Sequence, residues 1–212
     1  MEAYLGEKIP KLGFGLMRLP MDGGKIDVER TREMVDRFLD EGFCYFDTAY
    51  GYHEGESEAV AKKVLVDRYP RERFLLATKL PAWAGAESRE EAEQMFYTSL
   101  ERTGAGYFDF YLLHNLGQER THFFDDYGIW DFLKKRKEEG LIRHLGFSMH
   151  DKADVLDQIL TEHPEMEFVQ LQINYADWEA PDIESRKCYE TARKHGKPII
   201  IMEPVKGGNL AD

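Results

Sequence analysis

Four residues between positions 47 and 114 have types and spacing that could act together: Asp47, Tyr52, Lys79 and His114. Reducing a carbonyl takes a hydride at its carbon and a proton at its oxygen, so the reaction needs a positioned acid. A free tyrosine, with a pKa of about 10, is a poor acid at neutral pH. A lysine ammonium beside it stabilises the phenolate, and a carboxylate can hold that lysine in place. A histidine can orient the carbonyl by donating a hydrogen bond. Each residue alone has an ordinary explanation. Asp47 could cap a helix, Tyr52 could be a loop aromatic, Lys79 could snorkel at the surface, and His114 could be a satisfied core histidine. Their joint placement reverses that reading.

The elements that must position them alternate regularly. Short apolar runs at Lys11–Leu16, Phe43–Asp47, Phe74–Lys79, Phe108–His114, Leu141–Ser148, Phe168–Ile173 and Pro198–Pro204 read as strands separated by amphipathic helices. Asp27 can cap a helix with Val28, Met34, Val35, Phe38 and Leu39 on its apolar face, ended by Gly42. Ser88 and Glu91 form a capping box for a helix that stops at Gly104. A third helix ends at Gly140, and Asp151 can start a fourth that carries Val155, Leu156 and Ile159. No linker-like stretch interrupts this rhythm, so residues 1–212 read as one domain.

This α/β pattern fits either a (β/α)8 TIM-type barrel or an open doubly wound sheet. Asp47, Lys79, His114, Ser148, Gln172 and Glu203 fall at or near the C-terminal ends of their strands, one per unit. In a barrel those ends converge on one mouth, whereas in an open sheet they spread along an edge. The expectation is a barrel, incomplete at about seven of eight strands, with some one and a half βα units lacking after Glu203. An open edge of that kind is expected to favour self-association.

The motifs Phe46–Tyr52, Ala77–Lys79 and Leu112–His114 strongly resemble those of the aldo-keto reductases. The opening Lys8–Gly15 is similar to that family's N-terminal hairpin and first strand. The resemblance runs along essentially the whole chain, in the family's order. Gly51–Gly55 and Asp109–Leu116 look like the branch that often carries a C-terminal ferredoxin-like extension.

The resemblance implies an oxidoreductase that moves a hydride between NADPH, or alternatively NADH, and an aldehyde or ketone. Tyr52 would be the general acid, Lys79 would tune it, Asp47 would pair with Lys79, and His114 would orient the substrate. Cofactor contacts are implied for Met17, Arg18, Asp47, Ser148, Met149, Gln172, Met202, Pro204, Val205 and Lys206. Met149 stands where the family usually has Asn, and Met202 stands where an aromatic often stacks on the nicotinamide. The basic residues that bind the adenosine 2′-phosphate follow the family's last strand, beyond Asp212. Ser148 and Gln172 could instead serve only to satisfy loop backbone. Trp83 and Trp178 could wall the substrate pocket or pack the core.

Composition narrows the partners. A net charge of −12 argues against nucleic acid and anionic membranes. The basic run Lys134–Lys137 reads as a solvated helix face. No apolar stretch approaches a membrane span. Cys44 and Cys188 form no C-x-x-C pair, and Cys44 reads as a buried structural thiol. The histidines show no metal-ligand spacing, so no metal site is expected. A cytoplasmic protein acting on a small carbonyl compound is expected. A catalytically silent nicotinamide-binding barrel and an inactive fragment remain as rival readings.

Overall fold

The computed structural model describes residues 5–211. Seven parallel strands form one sheet in the order β1 (Gly13–Gly15), β4 (Tyr45–Asp47), β5 (Leu75–Leu80), β6 (Phe108–Leu116), β7 (Ile142–Met149), β8 (Phe168–Gln172) and β9 (Ile199–Met202). A two-stranded hairpin, β2 (Met21–Asp22) with β3 (Lys25–Ile26), follows β1. The seven strands lie where the apolar runs place them. This hairpin turns at Gly23-Gly24, both at positive φ, and is distinct from the N-terminal hairpin expected at the opening of Lys8–Gly15, where the described Lys8–Lys11 form no strand.

The sheet is curled into an incomplete barrel. The side-chain amide of Gln170 on β8 donates to Asp47 on β4 at 3.1 Å, although those strands are four steps apart in the sheet. Flat, those steps would separate them by about 19 Å. Alternation then sorts the side chains. Tyr45, Ala77, Phe110, Leu112 and Phe168 fill the barrel interior, while a larger core that includes Phe46, Leu76, Tyr111, Phe147 and Val169 packs under the helices. Gly146 faces inward on β7. A Cβ there would meet the Phe168 carbonyl at 2.4 Å, so only glycine lets the ring of Phe168 fill the interior.

The helices are punctuated largely as expected. Asp27 accepts from Arg30 N and caps α1 (Val28–Asp40), although Met34 is exposed rather than part of its buried face. Ser88 caps α3 (Arg89–Thr103), but the Glu91 carboxylate reaches Glu87 N, one residue earlier than a closed capping box requires. Two helices, α4 (Thr121–Asp126) and α5 (Ile129–Glu138), meet at Gly128. Within the basic run Arg136 is buried against Phe132, so that helix face is not wholly solvated. Asp151 does not cap α6 (Ala153–Glu162). Its carboxylate instead accepts from Lys152 N and from Gln118 N on the loop after β6. Cys44 is half-buried and Cys188 buried.

Candidate active site

The C-terminal ends of β4, β5 and β6 bring the four expected residues together. Asp47 pairs in register with Ala77, two residues before Lys79 on the same inward face. Lys79 is 1% exposed, and its Nζ lies 2.5 Å from Asp47 Oδ1, 2.7 Å from the Thr48 carbonyl and 3.3 Å from the Tyr52 hydroxyl. Burial opposes its charge, but the attraction of Asp47, and then of Tyr52, outweighs that and holds its pKa above the usual lysine value.

Tyr52 sits on a tightly folded loop. His53, Glu54 and Gly55 all take left-handed φ, which turns the chain sharply after the tyrosine. Two ties secure this turn. His53 Nε2 accepts from Leu19 N, and Arg102 on α3 donates to the Tyr50 carbonyl and to Glu58 of α2 (Glu56–Ala61). Glu58 is fully buried and also accepts from Thr78 on β5. Burial raises its pKa despite the Thr78, Ser99 and Arg102 groups that oppose the shift.

His114 lies across the tyrosine, with ring centroids 5.8 Å apart and nearly perpendicular planes. The register of β6 against β7 shifts between Leu113 and Leu116, which frees His114 and Asn115 from the ladder. Asn115 is left-handed at φ 59°, and its N–H donates to Ser148 Oγ. Burial, and then the charge on Lys79, push the His114 imidazole down to about 3, so it is neutral at physiological pH. Its Nδ1 is buried without a hydrogen-bond partner among the described residues.

Residues expected near a cofactor divide into two groups. Ser148, Gln172 and Met202 share the mouth-facing side of β7, β8 and β9, since Ser148 pairs with Gln170 and Gln172 pairs with Met202. Met149 faces the opposite way, buried beside Leu116 and Leu171 under the helices, so its side chain does not reach the mouth. Pro204 and Val205 are exposed on the loop after β9. Lys206 pairs with the buried Asp177 at 2.6 Å, and Gln172 and Asn174 donate to the same carboxylate. Lys206, then Asn174, pull Asp177 down to about 2. Met17 is exposed, and Arg18 reaches from the β1 side to Glu203 at 3.0 Å, bridging the gap between β1 and β9.

Sequence reasoning passed over several contributors. Gln170, which holds the second oxygen of Asp47, is two residues before Gln172 and so shares its face, a signal that strand alternation carried. Glu58 and Arg102 had no comparable signal, because their role depends on how helices pack behind the sheet. Trp83 donates to the His114 carbonyl at 2.7 Å and does wall the mouth, whereas Trp178 packs beside Tyr189 of α7 (Ser185–Lys194).

The chain belongs to the aldo/keto reductase family, whose pattern it matches over residues 11–212. An aldo-keto reductase from Mycobacterium sp. (strain MCS) is 30% identical over 156 residues, which is 72% of this chain and 50% of that protein. Methylglyoxal reductase DkgA from Yersinia pestis is 28% identical over 69% of this chain and 47% of its own length. The chain thus spans about half the length of these curated relatives. Among solved structures, an aldo-keto reductase from Klebsiella pneumoniae in complex with NADPH superposes with a TM-score of 0.74 at 22% identity. The match covers 98% of this chain and 68% of that one. One from Brucella melitensis gives 0.69 at 23% identity over 93% and 69%. At these identities the structures establish the fold, an α/β barrel.

Proposed function

We propose that this chain carries the proton-transfer centre of an NAD(P)H-dependent carbonyl reductase acting on aldehydes or ketones. One observation carries the reading. A buried lysine is clamped by Asp47 at 2.5 Å with its ammonium 3.3 Å from the hydroxyl of Tyr52, directly opposite His114.

The residues present suit a nicotinamide. Its carboxamide offers one acceptor and N–H donors. The Ser148 oxygen already accepts from Asn115 N, so its proton is available to donate. Gln172 commits its Nε2 to Asp177, which leaves its oxygen, beside His150, as the acceptor. NADPH, when bound, supplies a hydride to the carbonyl carbon. Neutral His114 donates from Nε2 to the carbonyl oxygen and orients it. Tyr52 gives its hydroxyl proton to that oxygen, yielding the alcohol, and the phenolate left behind faces the Lys79 ammonium. Asp47 and the Thr48 carbonyl keep that ammonium in place. In the oxidative direction Tyr52 takes the proton back. The free thiols suit a reducing compartment such as the cytoplasm, and burial raises Cys188 to about 11 and keeps it protonated.

The test is NADPH oxidation by this chain with a generic aromatic aldehyde, alongside cofactor titration followed by protein fluorescence. Tyr52→Phe should lower turnover by about 10²–10⁴-fold while cofactor quenching persists. A Tyr52→Phe protein as active as its parent overturns the assignment.

A further inference from the structure

One cation at the mouth is not explained by proton transfer. Arg120 sits just before α4, half-buried, with its guanidinium over the ring of Trp83 at 5.0 Å. Trp83 in turn packs against His114, with centroids 6.3 Å apart, so a single indole separates the guanidinium from the imidazole beside Tyr52.

Burying an arginine without an anion is costly, and this chain avoids it elsewhere. Among the described arginines, five are not exposed: Arg71, Arg102, Arg120, Arg136 and Arg186. Four of these pair with carboxylates, namely Asp109, Glu58, Glu139 and Glu179. Arg120 has no carboxylate partner among the described residues, in a protein whose net charge is −12. Its one hydrogen bond goes to the neutral side chain of Asn115, at 3.2 Å. Nearby carboxylates are engaged with other donors. Asp151 accepts from Gln118 N and Lys152 N, and Asp125 accepts from Trp130.

The arrangement has the parts of an anion subsite. Stacking on Trp83 and the bond to Asn115 fix the guanidinium plane, and its remaining N–H groups have no acceptor among the described residues. Asn115 also reaches Ser148 through its backbone N–H, so the same residue links the cation to the mouth. We propose that Arg120 recognises an anionic group on the substrate, and that the preferred substrates are carbonyl compounds bearing a carboxylate or phosphate. The inference rests on the assignment of Tyr52 and His114 as the carbonyl end of the site. The carbonyl lies between those two residues, the substrate body lies along Trp83, and the anion meets Arg120.

The experiment compares three aldehydes of one shape with this chain and NADPH: 4-methylbenzaldehyde, 4-carboxybenzaldehyde and 4-formylphenyl phosphate. At least one anionic aldehyde should have a KM about tenfold or more below that of the neutral one, and its identity distinguishes carboxylate from phosphate. In Arg120→Gln that ratio should collapse towards one, and in Arg120→Lys it should be partly restored. Equal KM values in the parent, or an unchanged ratio in Arg120→Gln, overturn the proposal. A second measurement does not depend on turnover. The unreactive anions 4-methylbenzoate and phenyl phosphate are titrated against tryptophan fluorescence, with toluene as the neutral control. At least one anion should quench the parent and not Arg120→Gln. If no aldehyde is reduced but that difference persists, the reductase assignment falls and the anion subsite stands. If neither anion distinguishes the two proteins, the subsite falls.

Discussion

The two ends of the barrel both bury charge, but they use it differently. At the N-terminal end, the fully buried Asp109 accepts from Arg71 at 2.5 Å, Leu76 N at 2.8 Å and Arg143 at 3.0 Å. Both guanidiniums lie on the ring of Tyr107. Glu167 is likewise enclosed by Lys137, His144 and Leu145 N, which overcome the cost of burial and bring it down to about 2. At the C-terminal end, Asp47–Lys79 and Asp177–Lys206 are paired, but other groups are held and not saturated. His114 Nδ1 and Gln170 Oε1 lack partners, and Arg120 lacks a counter-ion among the described residues. The paired Asp109 ties strands β5, β6 and β7 together, although Arg71 Nε has no partner among the described residues, whereas the mouth keeps neutral polar groups and one cation incompletely paired.

The largest effect that would sharpen this contrast is loss of the buried lysine paired with Asp47. Lys79→Met should cut turnover by 100-fold or more. Thermal stability should change little when Asp47→Asn is combined with it, since both charges of the pair then go together and no buried charge is left unpaired. A large fall in melting temperature of that double variant would instead place Lys79 with the structural charges.

Next in size is the acid response of His114. Its folded pKa, about 3, lies below the unfolded value of about 6.5, so the folded state resists protonation. The stability involved is fully present above pH 6.5 and is lost as pH falls towards 3. It is on the order of a few kcal/mol. His114→Gln should therefore be less acid-sensitive than the parent across that window in urea melts. Parallel pH profiles for the two proteins would contradict the depressed value.

The smallest effect comes from the closed end. Asp109→Ala strips the acceptor from the buried Leu76 N and the partner from two arginines. It should cost about 1–3 kcal/mol in denaturant melts, with turnover per folded molecule unchanged. If activity falls while stability holds, the two ends are not functionally distinct.

Much of this was legible in the chain because it depends on local pattern. Short apolar runs located seven strands, and Asp27, Ser88 and Gly104 marked helix boundaries at which capping and positive φ act locally. The Gly23-Gly24 hairpin carried a readable signal that was missed. By contrast, Met149 and Ser148 are sequence neighbours, and only the pleat decides that one faces the mouth and the other the helices.

The sequence by itself placed Asp47, Lys79 and His114 at strand ends, and Tyr52 on the loop after one of them, where a barrel must bring them together. Tertiary structure alone decided their state. The Asp47–Gln170 contact needs the sheet to curl, and the neutrality of His114 follows from burial beside Lys79. The availability of Arg120 depends on where Asp151 and Asp125 find their donors. Residue type and spacing fix which groups share a face, but desolvation and pairing depend on everything packed around them.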